Sequence, residues 1–276
     1  MTAAGWVWVA VAAILAVLDW TAVTVRSRVL ERCAKPAVLL ALLAAALTAH
    51  PRHAGVHGWL VLALCFGLVG DIALSFASES QLTPRGSEQA GGDSVGGEQV
   101  EVTARAPGGA HRAPSADRGW RAELAEHGDR GAVVGTATAG PDLLFSAGLG
   151  SFLLGHLCYC VAMLRYGTDQ LSLGFGLVLV LLALLAFGQK VLTGAQSEGG
   201  TALTVAVAAY ITVLGSTVVL GIGTADLWVA YGIVLFAFSD LMLATDRFVR
   251  RLSWAPVTVA VSYHLAQALL VLGLTR

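Results

Sequence analysis

HGWLVLALCFGLVGDIALSF, residues 57–76, is a run of twenty residues with one formal charge, Asp71. At about 1.5 Å per residue, a helix of that length is about 30 Å long, the depth of a bilayer's hydrocarbon core. A second run, LFAFSDLMLA at 235–244, again places one acid, Asp240, among apolar residues. Working outward from these two gives eight apolar stretches. They cover roughly 5–25, 34–50, 57–77, 142–164, 171–191, 202–222, 226–245 and 254–274. The second is short and opens on Lys35-Pro36, where proline suits a first helical turn. The first lacks a basic region ahead of it and has a basic cluster after it, so it reads as a retained span and not a signal peptide. The expected fold class is all-α, a polytopic membrane bundle of about eight transmembrane helices.

Composition agrees. Of 276 residues, 56% are hydrophobic and 13% charged, with a mean hydropathy of +0.73. A soluble domain carries about 25% charge, so a soluble globular enzyme is excluded. Lys and Arg number 17 against 18 Asp and Glu; this balance offers no basic field for nucleic acid. Cys33, Cys65, Cys158 and Cys160 form neither a disulfide framework nor a CxxC pair. There is no P-loop, GxSxG elbow, HExxH or dinucleotide fingerprint.

Charge is concentrated in residues 78–140, which hold nine acids and six bases and leave nine acids and eleven bases for the rest. That segment, rich in Gly, Ser, Ala, Glu and Arg, reads as a disordered hydrophilic insertion. It separates residues 1–77, with three spans, from 141–276, with five, the two parts making one membrane domain. Arg26, Arg28, Arg32 and Lys35 flank loop one, Lys190 lies at loop five, and Arg247, Arg250 and Arg251 lie in loop seven. The positive-inside rule then puts odd loops in the cytoplasm and both termini outside. The expected location is the cell membrane. Spans three and seven share an acid, and spans four and eight share GHLCY against SYHLAQ. A parallel four-plus-four duplication would give this pattern; chance likeness between apolar helices is the alternative.

Every charge inside a span needs a reason, since an Asp at mid-span costs roughly 2.5–3.5 kcal/mol on insertion scales. Asp71 and Asp240 fall at similar depth, each behind a small residue, Gly70 and Ser239. They are candidates for a carboxylate pair facing one cavity, or else separate interhelical anchors. Gly148, Phe152, His156 and Tyr159 follow at spacings of 4, 4 and 3, one helical face. His156 could carry a proton, bind a metal or serve packing. Tyr263 and Gln267 lie one turn apart, suited to a polar substrate or to binding helices together. Lys35 could meet a phosphate or snorkel to the interface. Asp19 reads as interfacial, and His50, His53 and His57 as an exposed polar turn.

These pieces together resemble the lysoplasmalogenase-like YhhN family of eight-span membrane proteins. The matching elements are Lys35-Pro36, Gly70-Asp71, and FSAGLGSFLLGHLCY with Phe145, Gly148, Phe152, His156 and Tyr159. Tyr210 follows, then Gly232, Phe236, Ser239 and Asp240, Arg247-Phe248, and Tyr263 with Gln267. The insertion 78–140 departs from the pattern. The resemblance implies a membrane hydrolase that opens the vinyl ether bond of a lysoplasmalogen. The products would be a fatty aldehyde and glycerophosphoethanolamine or glycerophosphocholine. For that reaction the candidate catalytic residues are Asp71 and Asp240, one as acid and the other as base or stabiliser, with His156 orienting water or a carboxylate. Lys35, Tyr159, Tyr210, Ser239, Tyr263 and Gln267 would meet the substrate. The partners are a lysophospholipid substrate and membrane lipids, and no cofactor is expected.

The chemistry suits two acids. Vinyl ether hydrolysis starts with a proton placed on the β-carbon and passes through an oxocarbenium ion, as glycoside hydrolysis does. One carboxyl can supply the proton while the other faces the cation or prepares water. A lipid transporter or flippase, and a metal-dependent lysolipid hydrolase using His156 with the two acids, are the competing readings.

Overall fold

A computed structural model describes residues 1–49, 53, 55–80 and 143–276. Most of the expected insertion, and His50, lie outside the described residues. Among the described residues all regular structure is helical. The helices are α1 (Ala3–Thr24), α2 (Arg28–Leu47), α3 (Val56–Ser80), α4 (Leu143–Tyr166), α5 (Gln170–Ala183), α6 (Gln189–Gly223), α7 (Leu227–Phe248) and α8 (Ala255–Leu274). Among the described residues six helical stretches are long and apolar enough to cross a membrane: Ala3–Thr24, Val56–Phe76, Leu143–Tyr166, Gln170–Gly223, Leu227–Phe248 and Ala255–Leu274. This is a multi-pass membrane bundle.

Two boundaries differ from the sequence expectation. Helix α2 starts at Arg28, so Pro36 lies inside it and not in its first turn. The charged first two turns (Arg28, Glu31, Arg32, Lys35) keep α2 out of the set that is apolar enough to cross. Lys35 is thereby carried two turns into a helix instead of sitting at its tip. The second difference is at loop five. A five-residue π-helical turn, Leu184–Gly188, links α5 to α6 without a break, giving one helical run of 54 residues. Such a run would measure about 80 Å if straight, far beyond one bilayer. It folds back at Gly199 and Gly200, where Gly200 takes φ 64°, a backbone state that side chains disfavour. The amide of Asp169, ahead of α5, bonds the carbonyl of Gly223 at the end of α6 at 2.7 Å, closing the hairpin.

The core is set by small residues that let backbones approach. A methyl on Gly148 would fall 2.9 Å from Leu74, and one on Gly70 would strike the Phe152 ring at 2.7 Å, so α3 and α4 pack at glycine distance. Gly232 and Gly273 do the same for α7 against α8. Helix α2 buries Leu39, Leu42, Ala45 and Ala46 against Leu60 and Leu64 of α3 and Leu270 and Leu274 of α8 in one continuous core. Among the described residues the packed neighbours are α1–α2, α2–α3 and α3–α4, then α5–α6, α6–α7 and α7–α8; across the two sets α4 packs on α6, and α8 packs on α1, α2, α3 and α4. A four-plus-four duplication would relate α2–α8 to α4–α6, but α1–α8 has no counterpart, since α5 does not pack on α4. Helix α5 packs on α6 alone and turns Leu171, Phe175, Val178 and Leu182 outward, a surface for lipid.

Candidate active site between the helices

A cavity of about 960 Å³ opens among the helices. Its walls are mostly apolar, including Leu149, Phe152, Val180, Leu184, Leu214, Val218 and Phe238. The polar groups on it are Lys35, Asp71, Tyr210, Ser239, Asp240 and Tyr263 from the sequence candidates, and Asp19, Glu31, Ser75, Asp246, Arg247 and Arg251 besides. Helix α5 and its π-helical turn contribute Leu184, Phe187 and Gly188 to the outer wall.

Asp71, on α3, is fully buried. Its Oδ1 lies 3.3 Å from the Lys35 ammonium of α2; the contact is an ion pair without hydrogen-bond alignment, since Oδ1 accepts no hydrogen bond. Its Oδ2 accepts the Tyr263 hydroxyl of α8 at 3.0 Å. Lys35 also lies 5.7 Å from the centre of the Tyr263 ring, close enough for cation–π attraction. Three helices thus converge on one carboxylate.

Asp240, on α7, is served by a different set. Its Oδ2 accepts the Tyr210 hydroxyl of α6 at 2.7 Å. The His156 Nε2 of α4 lies 3.7 Å from that oxygen, beyond hydrogen-bond range. His156 Nδ1 donates to the Phe152 carbonyl at 2.8 Å, which leaves Nε2 as the free ring position. The ring is held edge-on by Phe236, 4.6 Å between centres, and by Tyr210 at 5.5 Å. The two carboxylates therefore border one cavity but have separate partners. In each case one polar neighbour comes from the helix just before the acid's own (α2 or α6). The other comes from the last helix of the opposite half (α8 or α4).

Other sequence candidates lie elsewhere. Tyr159 and Gln267 are buried and bond each other, hydroxyl to Oε1 at 2.5 Å, joining α4 to α8. Neither borders the cavity, so their expected place against substrate is corrected to an interhelical bond. His156 too stands behind the wall, reaching the cavity only through Asp240 and Tyr210. Ser239 borders the cavity while its hydroxyl bonds the Val259 carbonyl at 3.2 Å. Of the histidine turn, His53 stacks on Tyr166 at 4.3 Å between ring centres and His57 Nε2 bonds the Ala46 carbonyl at 2.9 Å. Among the described residues no three His, Cys, Asp or Glu side chains are gathered as metal ligands.

Two further groups on the wall, Asp19 and Arg247, are not among the site residues expected from the sequence. Asp19, expected at the interface, is instead fully buried on the cavity wall. Its signal was an acid five residues inside the end of an apolar helix, a depth that fits either place. Arg247, in the last turn of α7, pairs with Glu198 at 2.6 Å and covers the Phe145 ring at 4.5 Å. It pins the hairpin bend of α6 to α7 and α4. There, a methyl on Gly194 would fall 1.9 Å from the Phe248 carbonyl oxygen, so nothing larger than glycine fits the contact.

The model of the YhhN family matches residues 131–274. Curated lysoplasmalogenases of Mycobacterium bovis and Mycobacterium tuberculosis are each 32% identical to the chain over 132 residues, 47% of this chain and 50% of theirs. The chain thus spans about half the length of the curated relatives it matches. No solved structure matches it.

Proposed function

The chain belongs to the YhhN family, and on that premise we propose that it is a membrane hydrolase cleaving the vinyl ether bond of lysoplasmalogens. The products are a fatty aldehyde and a glycerophosphoethanolamine or glycerophosphocholine. The observation that carries this reading is the pair of carboxylates, Asp71 and Asp240, on the wall of one largely apolar cavity. The lysoplasmalogenase names of the two mycobacterial relatives support it.

In this reading the reaction is R–CH=CH–O–R′ plus water giving R–CH₂–CHO plus HO–R′. Asp240 delivers the proton to the β-carbon. Its partner on Oδ2 is a neutral phenol, so no cation competes for the role, and Oδ1 is left for substrate. Asp71, beside the Lys35 ammonium, is the anion that faces the oxocarbenium ion and accepts a proton from the attacking water. Water adds to the carbon next to oxygen, and the hemiacetal then separates into aldehyde and alcohol. Tyr210 and His156 position Asp240; Tyr263 positions Asp71. Ser239 borders the glycerol region. The hydrocarbon chain lies along the apolar wall beneath α5, which packs on α6 alone and offers lateral entry from lipid.

The proposed topology has eight crossings, with α2 as a short one and the α5–α6 run as two. Odd loops face the cytoplasm, in the cell membrane, which places Lys35, Arg247 and Arg251 toward the inner headgroups. The test is aldehyde release by purified protein from vinyl ether lysolipids and from their acyl ester counterparts. The wild type should release aldehyde from the vinyl ether lipids. Asp71→Asn and Asp240→Asn should each lower the rate by about 10²–10⁴-fold, the usual worth of general acid–base help. Full activity in both variants would refute the assignment. Transfer of intact lysolipid across vesicles with no aldehyde would make the protein a carrier.

A further inference from the structure

The unexplained group on the cavity wall is Asp19 of α1. It is fully buried, and among the described residues neither of its oxygens has a hydrogen-bond partner. His264 of α8 stands beside it, with Nδ1 3.9 Å from Oδ2. That nitrogen already accepts the indole N–H of Trp20 at 3.2 Å. Its lone pair is thereby occupied, and it has no proton to offer Asp19. A carboxyl removed from water with no donor is among the costliest features a fold can keep. Asp71, by contrast, has Lys35 and Tyr263.

The charges around Asp19 point the same way. Among the described residues bordering the cavity, Glu31, Asp71 and one cation, Lys35, lie within electrostatic range of Asp19. Acids there outnumber the cation three to one, and both Asp19 oxygens lack a donor. We propose that Asp19 receives the primary ammonium of an ethanolamine headgroup whose phosphate meets Lys35, and so sets a preference for ethanolamine over choline. A primary ammonium carries three N–H donors that can fill those oxygens. A trimethylammonium carries none and is better held by aromatic faces. This inference rests on the lysolipid reading above but not on the cleavage chemistry.

The test compares wild type with Asp19→Asn, a substitution that keeps shape and removes the charge. Aldehyde release is measured on ethanolamine and choline vinyl ether lysolipids. The ethanolamine-to-choline ratio of kcat/KM should fall at least about tenfold, through KM, as expected for one lost charge-assisted hydrogen bond. An unchanged ratio, or an equal fall in kcat for both lipids at constant KM, would overturn the proposal and make Asp19 part of the reaction itself. Binding of lysophosphatidylethanolamine and lysophosphatidylcholine to the wild-type protein provides a readout free of cleavage and of any folding defect in the variant. The ethanolamine lipid should bind at least about tenfold more tightly; equal affinity would overturn the proposal. Preferential binding without aldehyde from either vinyl ether lipid would leave the headgroup site standing and remove the lysoplasmalogenase reading.

Discussion

Replacing Lys35 by Met strips the cation from Asp71. At 3.3 Å and an effective dielectric of about 20, Coulomb's law gives an attraction of about 5 kcal/mol. Desolvation and side-chain ordering offset part of it. Breaking a buried pair from one side typically costs about 3–5 kcal/mol. Lys35 keeps 19% of its side chain exposed while Asp71 keeps none, so partial screening puts the expected loss near the lower end, about 3 kcal/mol. Asp71→Asn should cost less, because asparagine still accepts the Tyr263 hydroxyl and only the ammonium is left unpaired. The double variant removes both charges, and most of the lost stability should return. Unfolding of the four proteins in mixed micelles gives the coupling energy directly, expected at about 2 kcal/mol or more. Aldehyde release should stay as low in the double variant as in Asp71→Asn, separating the stability role of the pair from the chemistry. Additive single losses, with the double variant as unstable as their sum, would refute the reasoning.

Two further outcomes follow from contacts away from the cavity. Tyr159→Phe removes the donor to Gln267 and should cost about 1–2 kcal/mol of stability while leaving KM for lysolipid within about twofold; a headgroup-dependent KM change would restore Tyr159 to the substrate surface. Asp169 caps α5, accepting the Ser172 amide and hydroxyl, and these bonds hold its carboxyl below the usual 3.8. Since the folded value is the lower one, the cap's stabilisation is present above pH 3.8 and is lost as pH falls through the folded value. Hydrogen exchange at the Ser172 amide should therefore accelerate relative to the other α5 amides in that acid window, and Asp169→Ala should abolish the difference.

Much of the bundle is legible in the sequence because hydrocarbon imposes one rule, that backbone groups bond within the segment. Runs such as 57–76 and 235–244 have few other folded fates. What is not legible comes from local choices that hydropathy does not register. Pro36 lies inside α2 because helix formers from Arg28 onward extend it backward. Most of the expected loop between 191 and 202 is helical, and the chain reverses inside it at the Gly199-Gly200 pair. Asp71 and Asp240 stand out because an acid in an apolar helix is expensive. Their partners do not, since pairing Lys35 with Asp71 and Tyr210 with Asp240 depends on how each helix is rotated about its axis. The same uncertainty in rotation turned Tyr159 and Gln267 toward each other and Asp19 toward the cavity.

The central claim is that protein carboxyls place a proton on the β-carbon of a vinyl ether. Turnover of a vinyl ether lysolipid in D₂O tests it most directly, with mass spectrometry of the aldehyde. The account predicts one deuterium on the carbon next to the aldehyde group, at a rate that collapses in Asp240→Asn. Aldehyde formed without deuterium at that carbon, or at an undiminished rate in the variant, would contradict it.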